Sequence, residues 1–272
     1  MQEVTIRNWM SKHPTDLGSS GGNYYYLFEF VPSDEHDWKA AKRFLADKIS
    51  TSYSPLEALR ESLDRFGMAT LVERVREKLP TSKLRQKSEF GEIVCQLVFE
   101  GVYHLFVPVK HRYKDSPNVA VHGVDVVAFR FDRGGNVNED TLYLAEVKTT
   151  RAKQNPPSVV YEIRDFFREI SLSDISSDLQ YILTKMRDEL TDYYARVVDF
   201  HNPYEFHKRK IRFCPFLVRE KRFWKPVDIK CIKDQVYDYP ISLTVVTFDN
   251  LDELAFEIYR LARVENDRCF AD

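Results

Sequence analysis

The sequence predicts an α/β fold: a central mixed sheet with helices on both faces and a site at one sheet edge. Three observations point there. Two strongly β-prone segments, residues 119–131 and 141–150, flank the polar turn RGGNVNED, rich in glycine and asparagine. Two more β-prone segments, 211–218 and 241–248, come later. Segments with apolar residues at helical spacing stand before, between and after these strands.

Residues 1–80 read as an N-terminal α+β region, and residues 81–272 as the main domain. A strand is expected at 4–9, then a polar loop, then the aromatic run YYYLFEFVP at 24–32. In 38–49, Ala41, Phe44, Leu45 and Ile49 recur at helical spacing. A second helical stretch spans 55–79, opened by Pro55 and broken near Gly67. Residues 85–107 read as a helix with the stripe Phe90, Ile93, Val94, Leu97 and Val98, passing after Gly101 into the strand-like VYHLFVPVK. Residues 160–200 are helical and charged. The last helix, 251–264, places Leu254, Ile258 and Leu261 on one face.

Composition narrows the function. Hydrophobic residues at 43% and charged residues at 30% fit an ordinary soluble globular chain. The net charge of −2 is not that of a strongly basic nucleic-acid binder, so any such contact would come from a local basic surface. Cys95, Cys214, Cys231 and Cys269 form no C-x-x-C pair, which argues against a zinc site and a disulfide framework. The N-terminus lacks a signal-peptide apolar core, and no apolar run is long enough for a membrane span, so a cytoplasmic location is expected.

The chemistry-bearing segment is VHGVDVVAFRF followed by TLYLAEVKTT. Side chains two apart share a strand face. Leu142, Leu144, Glu146 and Lys148 therefore share one face, as do Asp125, Val127, Phe129 and Phe131. A hairpin centred between Gly135 and Asn136 sets Asp125 opposite Glu146, with paired positions adding to 271. Two carboxylates there could hold a hard divalent cation, and Lys148 could steady water or a developing phosphorane. E-x-K alone is common, and such groups are often a solvated edge or a surface ion pair.

Several neighbours are ambiguous. Periodicity leaves both Glu89 and Glu92 on a solvated helix face. Lys110 and Lys114 could contact phosphate or simply lie on a loop. His104, His111 and His122 read first as structural, although His122 is close to Asp125 in sequence. Residues 207–210 and 219–225 are basic clusters with interleaved aromatics. They suit a backbone-tracking groove or the charged edges of a sheet.

The stretch SEFGEIVCQLVFEGVYHLFVPVKHRYKDSPNVAVHGVDVVAF, with LYLAEVKTT, resembles the HamA family, the nuclease subunit of the Hachiman anti-phage defence system. The similarity covers residues 88–150: an F-G-E helix, K-x-x-x-K, H-G-x-D, then E-V-K. It implies a restriction-endonuclease-like fold of the PD-(D/E)xK superfamily. It also implies a site of Asp125, Glu146 and Lys148, with Glu92, or alternatively Glu89, as the helix glutamate. Lys110, Lys114 and His122 would support it. Asp125, Glu146 and Glu92 would bind Mg2+, with Mn2+ as a substitute. The implied activity is hydrolysis of DNA phosphodiester bonds beside a HamB-like helicase in a heteromeric complex. The aromatic run Tyr24, Tyr25, Tyr26, Phe28 and Phe30 is a candidate docking surface for that partner, or else a core strand. Two rival readings are a non-catalytic nucleic-acid-binding subunit with a decayed nuclease fold, and a repair or restriction nuclease of the same superfamily.

Overall fold

A computed structural model describes residues 4–12, 19–20, 22–54, 76–114, 116–118, 123–202 and 210–264, with isolated positions between 61 and 73. The strands are β1 (Met10–Lys12), β2 (Ser19–Ser20), β3 (Asn23–Phe30), β4 (Val126–Arg130), β5 (Thr141–Thr150), β6 (Lys210–Glu220) and β7 (Ser242–Phe248). The helices are α1 (Glu35–Tyr53), α2 (Lys83–Gly101), α3 (Ser158–Glu169), α4 (Leu172–Lys185), α5 (Arg187–Leu190), α6 (Tyr194–His201), α7 (Lys230–Lys233) and α8 (Leu251–Val264). All seven strands join one sheet in the order β1-β3-β7-β6-β5-β4, with β2 paired to β3. The four inner strands run parallel, and β1 and β4 close the two ends antiparallel. The mixed α/β architecture is the expected one.

Local sequence sets the helix starts. Asp34 caps α1 by accepting the Asp37 N–H at 2.8 Å. Ser171 and Asp174 form a capping box on α4. The buried Glu220 carboxylate, at the end of β6, accepts the Leu251 N–H at 2.8 Å and so caps α8 from across the fold. The inner strands read as continuous apolar runs because both faces are covered. Val126, Ala128, Tyr143, Ala145, Phe216 and Val246 pack beneath α1, α2 and α8. Val127, Phe129, Leu142, Leu144, Phe213 and Val245 pack against α3, α4, α6 and α7.

The hairpin register is the predicted one. Val126 pairs with Ala145 and Arg130 with Thr141, so paired positions add to 271. Other elements differ. Residues 6–9, expected as strand, form a 3-10 turn, and the strand begins at Met10. Residues 102–109 form no strand and touch the sheet through one bridge, Phe106 to Phe129. His104 at φ +54° breaks the extended path, and Pro108 has no N–H to give a ladder. The strand expected over 119–131 is shortened to 126–130, with 119–122 outside the described residues. Most of the helix expected at 55–79 also lies outside them.

One sheet and both core layers run across residue 80. β3 lies inside the sheet, paired with β7 from Tyr24 to Glu29. Tyr25, Leu27, Phe28 and Phe30 are buried, so most of the aromatic run packs as a core strand, while Tyr24 is exposed and Tyr26 half-buried. No helix among the described residues is long and apolar enough to cross a membrane.

Candidate active site

β5 is longer than its partner β4. From Glu146 onward its outer edge has no antiparallel neighbour. The chain just before β4 covers this gap with a side chain: Asp125 Oδ2 accepts the Val147 N–H at 2.8 Å. Asp125 is thereby fixed beside Glu146, within reach of its carboxyl. Lys148 follows on the same face of β5 and donates to Glu146 Oε1 at 2.7 Å.

α2 brings the fourth group. It packs on β5 at Gly91, where an added Cβ would stand 1.9 Å from Thr149 Oγ1 and 3.3 Å from Val147 Cγ1. The missing side chain lets the helix approach closely and sets the next residue, Glu92, against Asp125. Glu89, Glu92, His111, Asp125 and Lys148 line a small pocket of about 170 Å³ together with Arg85 and Ser88. The sequence therefore misplaces both helix glutamates: neither is on a solvated face, with Glu89 2% and the Glu92 side chain 13% exposed. α2 is sandwiched between the sheet on one side and α1 and α8 on the other, so its polar stripe is buried as well as its apolar one.

The two glutamates have different settings. Glu89 accepts from the Tyr53 hydroxyl and from Lys114 Nζ, a self-contained buried network. Glu92 has no such cation. Its oxygen lies 3.1 Å from His111 Nε2, off the line of a hydrogen bond. Burial lowers the His111 pKa to about 4, leaving the ring neutral near pH 7.

The acids are held away from their charged forms. Burial, then repulsion from Glu89, pushes Glu92 up to about 8. Burial, then Glu92, pushes Asp125 up to about 7. Burial, then Asp125, raises Glu146 to about 7, and Lys148 only partly offsets this. Burial opposes the charge on Lys148, but Glu146 beside it outweighs that and raises its pKa. Three carboxyls thus crowd one edge with too little positive charge among them, the condition a divalent cation relieves. Among the described residues no three His, Cys, Asp or Glu side chains already converge as ligands. Lys148 occupies a Glu146 oxygen that a cation would need. The donors fit a hard cation in kind, with Asp125 and Glu146 foremost and Glu92 facing them.

A family comparison decides the kinship. The model of the HamA family matches residues 4–262, nearly the whole chain. The chain belongs to the HamA family. Among curated proteins none matches it.

The rest of this HamA chain's predicted set falls into place around the pocket. Lys110 is neither loop-exposed nor free to meet phosphate. It is 1% exposed and donates to Val124 O at 2.7 Å and Asp178 Oδ1 at 2.9 Å. Asp178 in turn accepts the Val124 N–H at 2.9 Å, so the pair clamps the chain just before Asp125. Gly123 is required there: its φ is +84°, and a Cβ would stand 1.9 Å from Asp178 Oδ1. Lys114 is tied to Glu89 and to Pro117 O. His104 lies away from the pocket, and His122 lies outside the described residues.

Of the two basic clusters, 207–209 lie outside the described residues, and Lys210 pairs with Glu139. Arg219 is fully buried, bonded to Asp228 and to the carbonyls of Ala152, Gln154 and Phe223. It fastens the loop after β5 and is no nucleic-acid contact. The sequence reading missed Asp178. Its signal was there: an acid amid Ile175, Leu179 and Ile182 on the apolar face of a helix is either an error or a buried partner.

Proposed function

We propose that this chain is a metal-dependent nuclease that hydrolyses DNA phosphodiester bonds in anti-phage defence, as the Hachiman resemblance implies. The observation that carries the reading is the set of acids at the free edge of β5, half-buried Glu92 and Asp125 with buried Glu146, and Lys148 beside them. Asp125 and Glu146 would hold Mg2+, or Mn2+ in its place, with Glu92 completing the acidic wall. When bound, the cation would polarise a phosphoryl oxygen and acidify a water. Asp125 is positioned for this by the Val147 N–H and the Lys110–Asp178 clamp. Lys148, now bonded to Glu146, would with that glutamate holding a cation be free to turn its ammonium toward the phosphate and its developing charge.

The test is incubation of the purified protein with plasmid DNA and magnesium, with and without EDTA. Cleavage should require the metal, and Asp125→Ala or Glu146→Ala should lose about 100-fold or more of the rate while keeping the fold by circular dichroism. Full activity in either folded variant removes the reading. One observation favours the alternative of a non-catalytic nucleic-acid-binding subunit: no ligand set is already converged among the described residues. DNA binding without cleavage at any divalent metal would select it. The helicase association is read from a pull-down with the co-expressed neighbouring helicase. The complex should cut intact DNA more slowly than the free chain, and an absence of association would contradict it.

A further inference from the structure

A cleft larger than the carboxylate pocket lies elsewhere on the sheet. It has a volume of about 690 Å³ and opens where β5, β6, β7 and β3 begin, beyond the C-terminal end of α2. Its floor is the sheet face that bears Tyr143 and Cys214. Tyr143 and Lys148 are five residues apart on β5, about 16 Å along the strand, and point to opposite faces. The two places are thus separated along the strands, while the α2 side of the pocket and the cleft share one sheet face.

Tyrosines dominate the walls. Tyr24 and Tyr26 stack along β3 with ring centroids 6.3 Å apart, and Tyr103 leans on Tyr26 at 5.5 Å. Tyr143 and Tyr239 complete the set. The Tyr103 hydroxyl is held to Thr244 Oγ1 at 2.8 Å, which fixes its ring. Three cations, Arg130, Lys210 and Arg212, line the same cleft, and no carboxylate does. They are not equivalent. Lys210 is tied to Glu139 at the rim, and Arg212 donates to the carbonyls of Gly22 and Ile241 and to Ser242 Oγ. Arg130 lies exposed over the Tyr143 ring, 5.4 Å from its centroid, and pairs with no carboxylate among the described residues.

A fixed aromatic wall beside an uncompensated guanidinium is the chemistry that holds a base by its face and a phosphate by its charge. The volume lies within the range of small-molecule sites. We infer that this cleft binds a nucleotide unit, its base against Tyr24 and Tyr26 and its phosphate at Arg130. The unit could belong to a single strand or be a free nucleotide. The inference does not depend on the catalytic reading, because it concerns binding at the other end of β5, with no lining residue shared between the two places.

The test uses the full chain in EDTA, where no cleavage intervenes. A fluorescein-labelled oligothymidylate is titrated by anisotropy, and dTMP by calorimetry. The parent should bind at least one of them. Arg130→Glu and Tyr24→Ala both alter exposed side chains, and each should weaken binding by about ten-fold or more, the former also lowering the salt slope by about one. Lys39→Glu, which alters an exposed charge on α1 outside both places, should bind as the parent does. Tighter binding of the oligonucleotide assigns a segment of single strand, and equal binding a free nucleotide; either supports the site. Binding of neither probe overturns it. So does equal binding by the parent and by both cleft variants, and so does loss on Lys148→Ala alone, which would put the probe in the carboxylate pocket.

Discussion

At the scale of single residues, the motif glycines do measurable work through what they lack. Alanine normally stabilises a helix interior by about 1 kcal/mol relative to glycine. At Gly91 the sign should reverse, because the new Cβ meets Thr149 and Val147 on a packed strand. Overpacking of this kind costs about 1–3 kcal/mol, and it would lift α2, and Glu92 with it, off β5. Gly91→Ala should therefore lower the urea midpoint. Adding Thr149→Ala should restore most of the loss, since that removes the nearest atom; an unchanged midpoint in the single variant would contradict the contact. The residues Asp125, Glu146 and Lys148 were legible from period-two alternation and one hairpin sum, because strand geometry is that regular. The setting of Glu92 was not. A helix wheel has no term for a second layer of helices, and here α1 and α8 bury what periodicity assigns to water.

At the scale of elements, the loop before β4 shows how a site is held rigid without regular structure. Lys110 and Asp178 are 1% and 4% exposed and bridge the turn after α2 to α4. Breaking such a pair by removing one charge costs about 3–5 kcal/mol, because the other stays buried and unmatched. Asp178→Ala should show that loss in urea denaturation. Replacing both, as Lys110→Met with Asp178→Leu, should recover much of the stability but not the placement of Asp125. A loss in the single variant below about 1 kcal/mol would mean that the clamp is not structural. The sequence had marked Lys110 as loop or phosphate contact for a physical reason. The partner lies 68 residues away, and local pattern carries no information about a contact of that span. The same limit explains residues 102–109. Their aromatic and β-branched content reads as strand, but His104 and Pro108 deny them a ladder.

At the scale of the whole molecule, the fold class was legible because strand and helix periods alternate along the chain. The order of strands was not, since β3 from the N-terminal region is carried past β1 to lie beside β7, near the other end of the sequence. That placement decides what residues 1–80 are for. β3 supplies four buried side chains, Tyr25, Leu27, Phe28 and Phe30, and burying each contributes about 1.5–3 kcal/mol. Together they amount to about 6–12 kcal/mol, comparable with the whole stability of an ordinary domain. Removing them would also leave β7 as a bare, apolar sheet edge, a template for aggregation. A fragment of residues 81–272 should then fail to give a cooperative unfolding transition and should aggregate on purification, although it carries every residue of the candidate site. Supplying residues 1–80 as a separate chain should rescue it in part, because the parallel pairing of β3 with β7 needs no covalent continuity. A soluble 81–272 fragment that melts cooperatively would show instead that the sheet can close on β7 and that the N-terminal eighty residues are an appendage.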